Sequence, residues 1–178
     1  MKKVLSLVLV LCMVCSLCAC GNSASKGGAD YKVAMITDYG DITDQSFNQT
    51  TYEACKKFCE DNSLEFTYYK PAGDNTADRV AMVDKAVDEG YNVIVMPGYA
   101  FGGTIVEAAG EYPDVKFIAL DVAAGDILEA GVAAKGGTYD YNPDNWDVKE
   151  YYHSDNVYCA IFQEELSGYM AGYAAVKL

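Results

Sequence analysis

Apolar positions along the chain recur with two alternating spacings. Tyr31-Lys32-Val33-Ala34-Met35-Ile36-Thr37 is a short apolar, β-branched run, as expected of a buried strand. Gly40, Asp41 and Thr43 break it. From Gln45 to Asn62 the spacing changes: Phe47, Tyr52, Cys55, Phe58 and Cys59 recur near every 3.6 residues, with Lys56, Lys57, Glu60 and Asp61 opposite, which predicts an amphipathic helix. Leu64–Tyr69 predicts a second strand and Pro71–Asn75 a turn. Thr76–Glu89 predicts a helix closed by Gly90, with Val80, Val83 and Val87 inward. Asn92–Met96 reads as a third strand. After Pro97-Gly98 a helix is expected from Phe101 to Tyr112, stopping before Pro113. Val115–Leu120 is the fourth strand. Residues 122–155 lose the rhythm and are acidic and rich in Tyr and Asn, so an irregular connector is expected. Asn156–Phe162 predicts a fifth strand. A helix from Glu164 to Leu178 follows, with Leu166, Tyr169, Met170, Tyr173 and Val176 spaced for one face. Short β-α units in this order fold as a parallel sheet with helices on both faces, joined by right-handed crossovers.

The first residues obey a different logic. Met1-Lys2-Lys3 is positive, Val4–Val14 is almost wholly apolar, and Leu17-Cys18-Ala19-Cys20-Gly21 follows. A charged start, a short apolar run and small residues at a cut site describe a secretory signal, too short to span a bilayer. The cut site is similar to a bacterial lipobox, with Leu17 at −3, Ala19 at −1 and Cys20 at +1. That resemblance implies cleavage before Cys20 and a lipid on its thiol. Residues 22–29 read as a flexible tether. The expected organisation is a signal peptide at 1–19, lipidated Cys20 and tether at 20–30, a ligand-binding lobe at 31–121, an acidic connector at 122–155, and the start of a second lobe at 156–178. Of seven cysteines, Cys12, Cys15 and Cys18 leave with the signal. Cys55, Cys59 and Cys159 remain, too few for a disulfide scaffold.

Charge narrows the partners. With 13 Lys+Arg against 26 Asp+Glu, the net charge is −13, which argues against nucleic acid, since phosphate needs clustered cations. In an open α/β sheet, ligands sit beyond the carboxyl ends of the strands. Those ends carry Asp38 to Asn48, Pro71 to Asn75, Pro97 to Phe101, and Asp121. Carboxylates, amides and rings dominate. Such a rim suits a neutral, hydroxyl-rich or aromatic ligand and leaves a phosphate unneutralised. Other readings of the same residues are weaker. Asp38, Asp41 and Asp44 could gather a cation but lack EF-hand spacing. Asp44 would equally serve as a helix cap. Cys55 and Cys59 share a helix face without further metal ligands. His153, the single histidine, lies in the connector. No Ser/His/Asp or Cys/His order is present, so no enzymatic activity, cofactor or metal is expected.

The first of these loops carries a family resemblance. Thr37-Asp38-Tyr39-Gly40-Asp41-Ile42-Thr43-Asp44-Gln45-Ser46-Phe47-Asn48 resembles the T-D-x-G-G-I-x-D-x-S-F-N motif of the basic membrane protein family, purine-nucleoside-receptor-type substrate-binding lipoproteins of ABC transporters. Asp41 stands where that motif has its second Gly. Tyr112-Pro113-Asp114-Val115-Lys116-Phe117 with Asp121 is similar to the family's Y-P-D-x-K-F…D. Asn156-Val157 through Phe162-Gln163-Glu164-Glu165 to Gly172 is similar to its N-V…F-x-E-E…G-x-x-A-G. The resemblance implies an α/β, type I periplasmic-binding-protein-like fold: a Rossmann-like parallel sheet with helices on both faces, its second lobe truncated. By position it implies that Asp38 bonds a nucleobase, Phe47 stacks on it, Asn48 assists, Asp121 accepts from ribose hydroxyls, and Tyr99 touches base or sugar. The family's other stacking ring would lie beyond Leu178, leaving about half the contacts on this chain. It further implies a lipid-anchored, extracytoplasmic binding protein that delivers a nucleoside, a purine nucleoside first, to an ABC permease. The rivals are a binding protein for another neutral ligand such as a sugar, and a secreted metal-dependent nucleoside hydrolase.

Overall fold

The computed structural model describes residues 30–152 and 155–177. In them, β1 (Lys32–Ile36), β2 (Glu65–Tyr69), β3 (Val93–Pro97), β4 (Lys116–Leu120) and β5 (Val157–Ala160) form one sheet. The strand order is β2-β1-β3-β4-β5 and every pairing is parallel. The interleaved helices are α1 (Phe47–Asn62), α2 (Thr76–Asp88), α3 (Gly102–Ala108), α4 (Ala124–Ala134) and α5 (Glu164–Lys177).

Strand alternation divides the core between the two faces. Ala34, Ile36, Ile94, Met96, Phe117 and Ala119 turn to one side, against Val83 of α2, Ile105 of α3 and Ile127 of α4. Val33, Met35 and Val95 turn to the other, against Cys59, Tyr52 and Cys55 of α1. On that second face Ile118 and Leu120 of β4 are half-buried and Tyr158 of β5 is exposed.

Ends follow local chemistry. Ser46 caps α1, its hydroxyl oxygen accepting from the Phe47 N–H. Ser63 closes α1 in a left-handed conformation, its N–H donating to the carbonyls of Cys59 and Glu60. Asn75 caps α2, accepting from the Asp78 N–H at 2.9 Å.

Three expectations change. The helix expected over 101–112 is shorter: a 3₁₀ turn at Tyr99–Phe101 precedes α3, which ends at Ala108. The stretch 122–155, expected to be an irregular connector, contains a regular helix, α4. Its buried positions are Ile127, Leu128, Gly131 and Val132, and the Asp126 carboxylate closes its start by accepting from the Ala123 N–H at 2.7 Å. Tyr139, Trp146 and Tyr151 fold back onto Leu128 and Val132. Glycine is required at 131, because a Cβ there would lie 2.6 Å from the Tyr151 Cβ. Asp140 fastens this annex by accepting from the Trp146 indole N–H at 2.7 Å and the Asn145 amide at 2.7 Å. The third change concerns 156–178, expected to open a second lobe. Its strand, β5, completes the same sheet beside β4 instead, with Asn156 locked by its amide to the Ala109 and Tyr112 carbonyls.

Candidate functional site

All five strands point their carboxyl ends to one edge of the sheet, and the loop between β1 and α1 is the most elaborately bonded segment there. Asp38 Oδ1 accepts from the Tyr39 N–H at 2.6 Å, the Gly40 N–H at 2.7 Å and the Asn48 amide at 2.9 Å. Asn48 is buried and reaches both ways, its amide also donating to Asp44 Oδ2 at 2.9 Å and its Oδ1 accepting from the Asp38 N–H at 3.3 Å. One side chain thus holds two carboxylates ten and four residues away. Gly40 is needed inside this knot, since a Cβ there would come within 2.5 Å of the Asn48 amide nitrogen. Burial opposes the charge of Asp44, yet the Asn48 amide and the N–H groups of Ser46 and Gln49 hold its carboxyl below the usual range. Asp41 turns away to Lys70 at 3.2 Å, and that ammonium, with the Thr43 hydroxyl, lowers its pKa too. The three aspartates of the loop therefore do not converge. Among the described residues, no three His, Cys, Asp or Glu side chains gather as a metal site.

Beside this knot lies a cleft of about 590 Å³ lined by Ser46, Phe47, Thr50, Asp121, Phe162 and Glu164. The rings of Phe47 and Phe162 meet edge to face, centroids 5.7 Å apart at 78°. Asp121, at the end of β4, has φ +61°, a left-handed conformation that costs a non-glycine residue roughly 1 kcal/mol or more. Its N–H is pinned to the Ala160 carbonyl of β5 at 2.6 Å, which fixes the turn that sends its carboxylate to the rim. Gln45, just before α1, shares the left-handed region at φ +56°.

The expected site residues separate into groups. Asp38 and Asn48 are bonded to each other, and Phe47 and Asp121 line the cleft. Tyr99 sits on the 3₁₀ turn, 71% exposed and outside the cleft lining. The third loop does approach the first: a Cβ at Gly98 would be 3.9 Å from that of Asp38. Phe162 and Glu164 were not foreseen as site residues. The rule that ligands lie beyond strand carboxyl ends covers them, because they directly follow β5. Lys70 pairs with Asp41, and buried Arg79 pairs through Nη2 with Asp74 at 2.6 Å and lies over the Phe101 ring at 5.7 Å, its Nε and Nη1 buried without a hydrogen-bond partner. The signal sequence, Cys20, the tether up to residue 29 and His153 lie outside the described residues.

The arrangement is a parallel α/β layer whose strand ends carry a polar and aromatic rim. The model of the family described as "ABC transporter substrate-binding protein PnrA-like" matches residues 31–178, and the chain belongs to that family. It is 30% identical over 157 residues to a CD4+ T-cell-stimulating antigen of Listeria monocytogenes, covering 78% of this chain and 43% of that one. It is 24% identical over 186 residues to the ABC transporter nucleoside-binding protein BmpA of Lactococcus lactis, covering 99% of this chain and 45% of that one. The chain thus spans less than half the length of these relatives. A crystal structure of a putative lipoprotein fragment from Peptoclostridium difficile shares the fold with TM-score 0.50 and 19% identity, covering 83% of this chain and 98% of that one.

Proposed function

We propose that this chain carries the first ligand-binding lobe of an extracytoplasmic, lipid-anchored solute-binding protein that captures a nucleoside, a purine nucleoside first, for an ABC permease. The observation that carries the reading is the pairing of a pre-bonded carboxylate with a ring-lined cleft at one sheet edge. Asp38 is held through one oxygen, Oδ1, by three donors, so Oδ2 is left to accept from a base N–H. Phe47 follows as the first residue of α1 and offers a ring to stack on. Asp121 supplies an acceptor for sugar hydroxyls. Asn48 works through Asp38: its amide hydrogens are spent on the loop, so it positions the carboxylate. Tyr99 would reach the ligand from the third loop.

The mechanism is capture and closure, in which a second lobe shuts over this edge and the permease takes up the closed form. No covalent step occurs in this reading, so the protein is not an enzyme. Membrane attachment runs through the Cys20 lipid, and names of relatives agree, several being called lipoproteins. Among the described residues no helix is long and apolar enough to cross a membrane.

Isothermal titration of the full-length protein, with both lobes present, against inosine, guanosine, adenosine and ribose tests this. Nucleosides should give heat and ribose far less. Silence with every nucleoside would sink the reading, and free base released in the presence of Ca²⁺ would favour the hydrolase. Phe47→Ala should weaken nucleoside binding by about 1–3 kcal/mol, the size of one base-stacking contact.

A further inference from the structure

We infer that Glu164 is a specificity-determining residue of this cleft, placed to exclude phosphorylated forms of the ligand. The inference rests on the nucleoside reading above and deepens it.

Six residues line the cleft, two of them carboxylates, Asp121 and Glu164, and none of them is basic. Neither acid is paired with a cation in any salt bridge among the described residues. Lys70 is paired with Asp41, and Arg79 lies buried against Asp74 and the Phe101 ring, neither of them among the residues lining the cleft. Asp121 already provides an acceptor for hydroxyls at the end of β4. A second, unpaired carboxylate adds a further negative charge to the same lining.

Glu164 is also the first residue of α5, which it enters with Glu165. Left bare, the N–H groups of that first turn would favour an anion in the adjoining cleft. Glu164 both opens that turn and lines the cleft, so its carboxylate sets a negative charge beside it. A nucleoside brings no charge and is indifferent to this field. A nucleoside monophosphate brings about two negative charges at neutral pH and meets Asp121 and Glu164 together. The cleft thus discriminates by repulsion, at little cost to the neutral ligand.

The test compares the dissociation constants of guanosine and guanosine 5′-monophosphate for the full-length protein, with both lobes present, and for its Glu164→Gln and Glu165→Gln variants at low salt. Glu165 has the same charge in the same helical turn but does not line the cleft. The expected result is that Glu164→Gln narrows the monophosphate-to-nucleoside ratio by about tenfold. Glu165→Gln should move it much less, and the gap between the two variants should shrink at high salt. Equal ratios in all three proteins, with guanosine bound, would overturn the assignment of Glu164. Equal narrowing by both variants would reduce it to bulk charge and overturn it as well. Absence of guanosine binding in all three, with circular dichroism unchanged, would instead remove the nucleoside reading itself.

Discussion

The two helices that border the cleft, α1 and α5, invert the usual relation between composition and burial. The sequence of α1, Phe-Asn-Gln-Thr-Thr-Tyr-Glu-Ala-Cys-Lys-Lys-Phe-Cys-Glu-Asp-Asn, is the more polar, yet it buries Asn48, Thr51 and Cys59 and seats Tyr52 and Cys55 on the sheet. The sequence of α5 carries Leu166, Tyr169, Met170, Tyr173 and Val176, yet no residue of it is buried, and Val176 is 86% exposed. Hydrophobic spacing predicts that a helix has a face to bury. It does not say which element covers that face. For α1 the covering surface is β1 and β3, fixed by right-handed crossovers between neighbouring strands. For α5 nothing among the described residues does so.

The contrast predicts its own largest effect. Met35 of β1 is fully buried beneath α1, and Met170 of α5 is 71% exposed. Met35→Ala should cost about 2–5 kcal/mol through lost burial and a residual cavity. Met170→Ala should stay within about 0.5 kcal/mol. Urea unfolding of both variants measures the difference, and equal midpoints would mean that α5 is covered in solution.

Glycine substitutions sharpen the same contrast on a smaller scale. Gly40→Ala drives a methyl to 2.5 Å from the Asn48 amide nitrogen and should cost about 1–3 kcal/mol, with nucleoside binding reduced because Asp38 loses its setting. On α5, a Cβ at Gly168 meets nothing within 4 Å, so Gly168→Ala should favour the helix by about 0.5–1 kcal/mol. Opposite signs in thermal melts are expected. A stabilising Gly40→Ala would show that the Asp38–Asn48–Asp44 knot is not formed as described.

Strands and the first loop were legible in the sequence because their signals are local. β1 through β4 are short apolar runs bounded by turn residues, and each lies within two residues of its expected limits. The pattern of α4 was hidden for a physical reason. Its apolar residues come as adjacent pairs around a glycine, and the rings that cover it arrive from residues 139–151. Asn48 shows the same limit at the site. An exposed-looking amide beside Phe47 reads as a ligand contact, and only its bonds to Asp38 and Asp44 show that it is buried and engaged. Phe162 and Glu164 follow β5 by the same rule that placed Asp38 and Asp121. They were passed over because their strand was expected to begin another lobe.

The smallest effect expected is in proton binding, and it separates the first loop from α4. In Asp44 and Asp41 the folded pKa lies below the unfolded value of 3.8. Their contribution is therefore fully present above that value and is lost as pH falls through the lowered one. Asp126 behaves oppositely. Burial pushes its carboxyl above 3.8, against the Ala123 N–H that it accepts from, so its contribution to stability declines as pH rises through that window. A carboxyl-carbon NMR titration should resolve the three groups, Asp44 and Asp41 ending their transitions at lower pH than Asp126. Lys70→Met should move Asp41 upward and leave Asp44 in place, because the ammonium is the first cause of one shift and the Asn48 amide holds the other. If Asp44 followed Asp41, the two carboxylates would be coupled, and the separation of Asp41 from the Asp38–Asn48–Asp44 knot would be wrong.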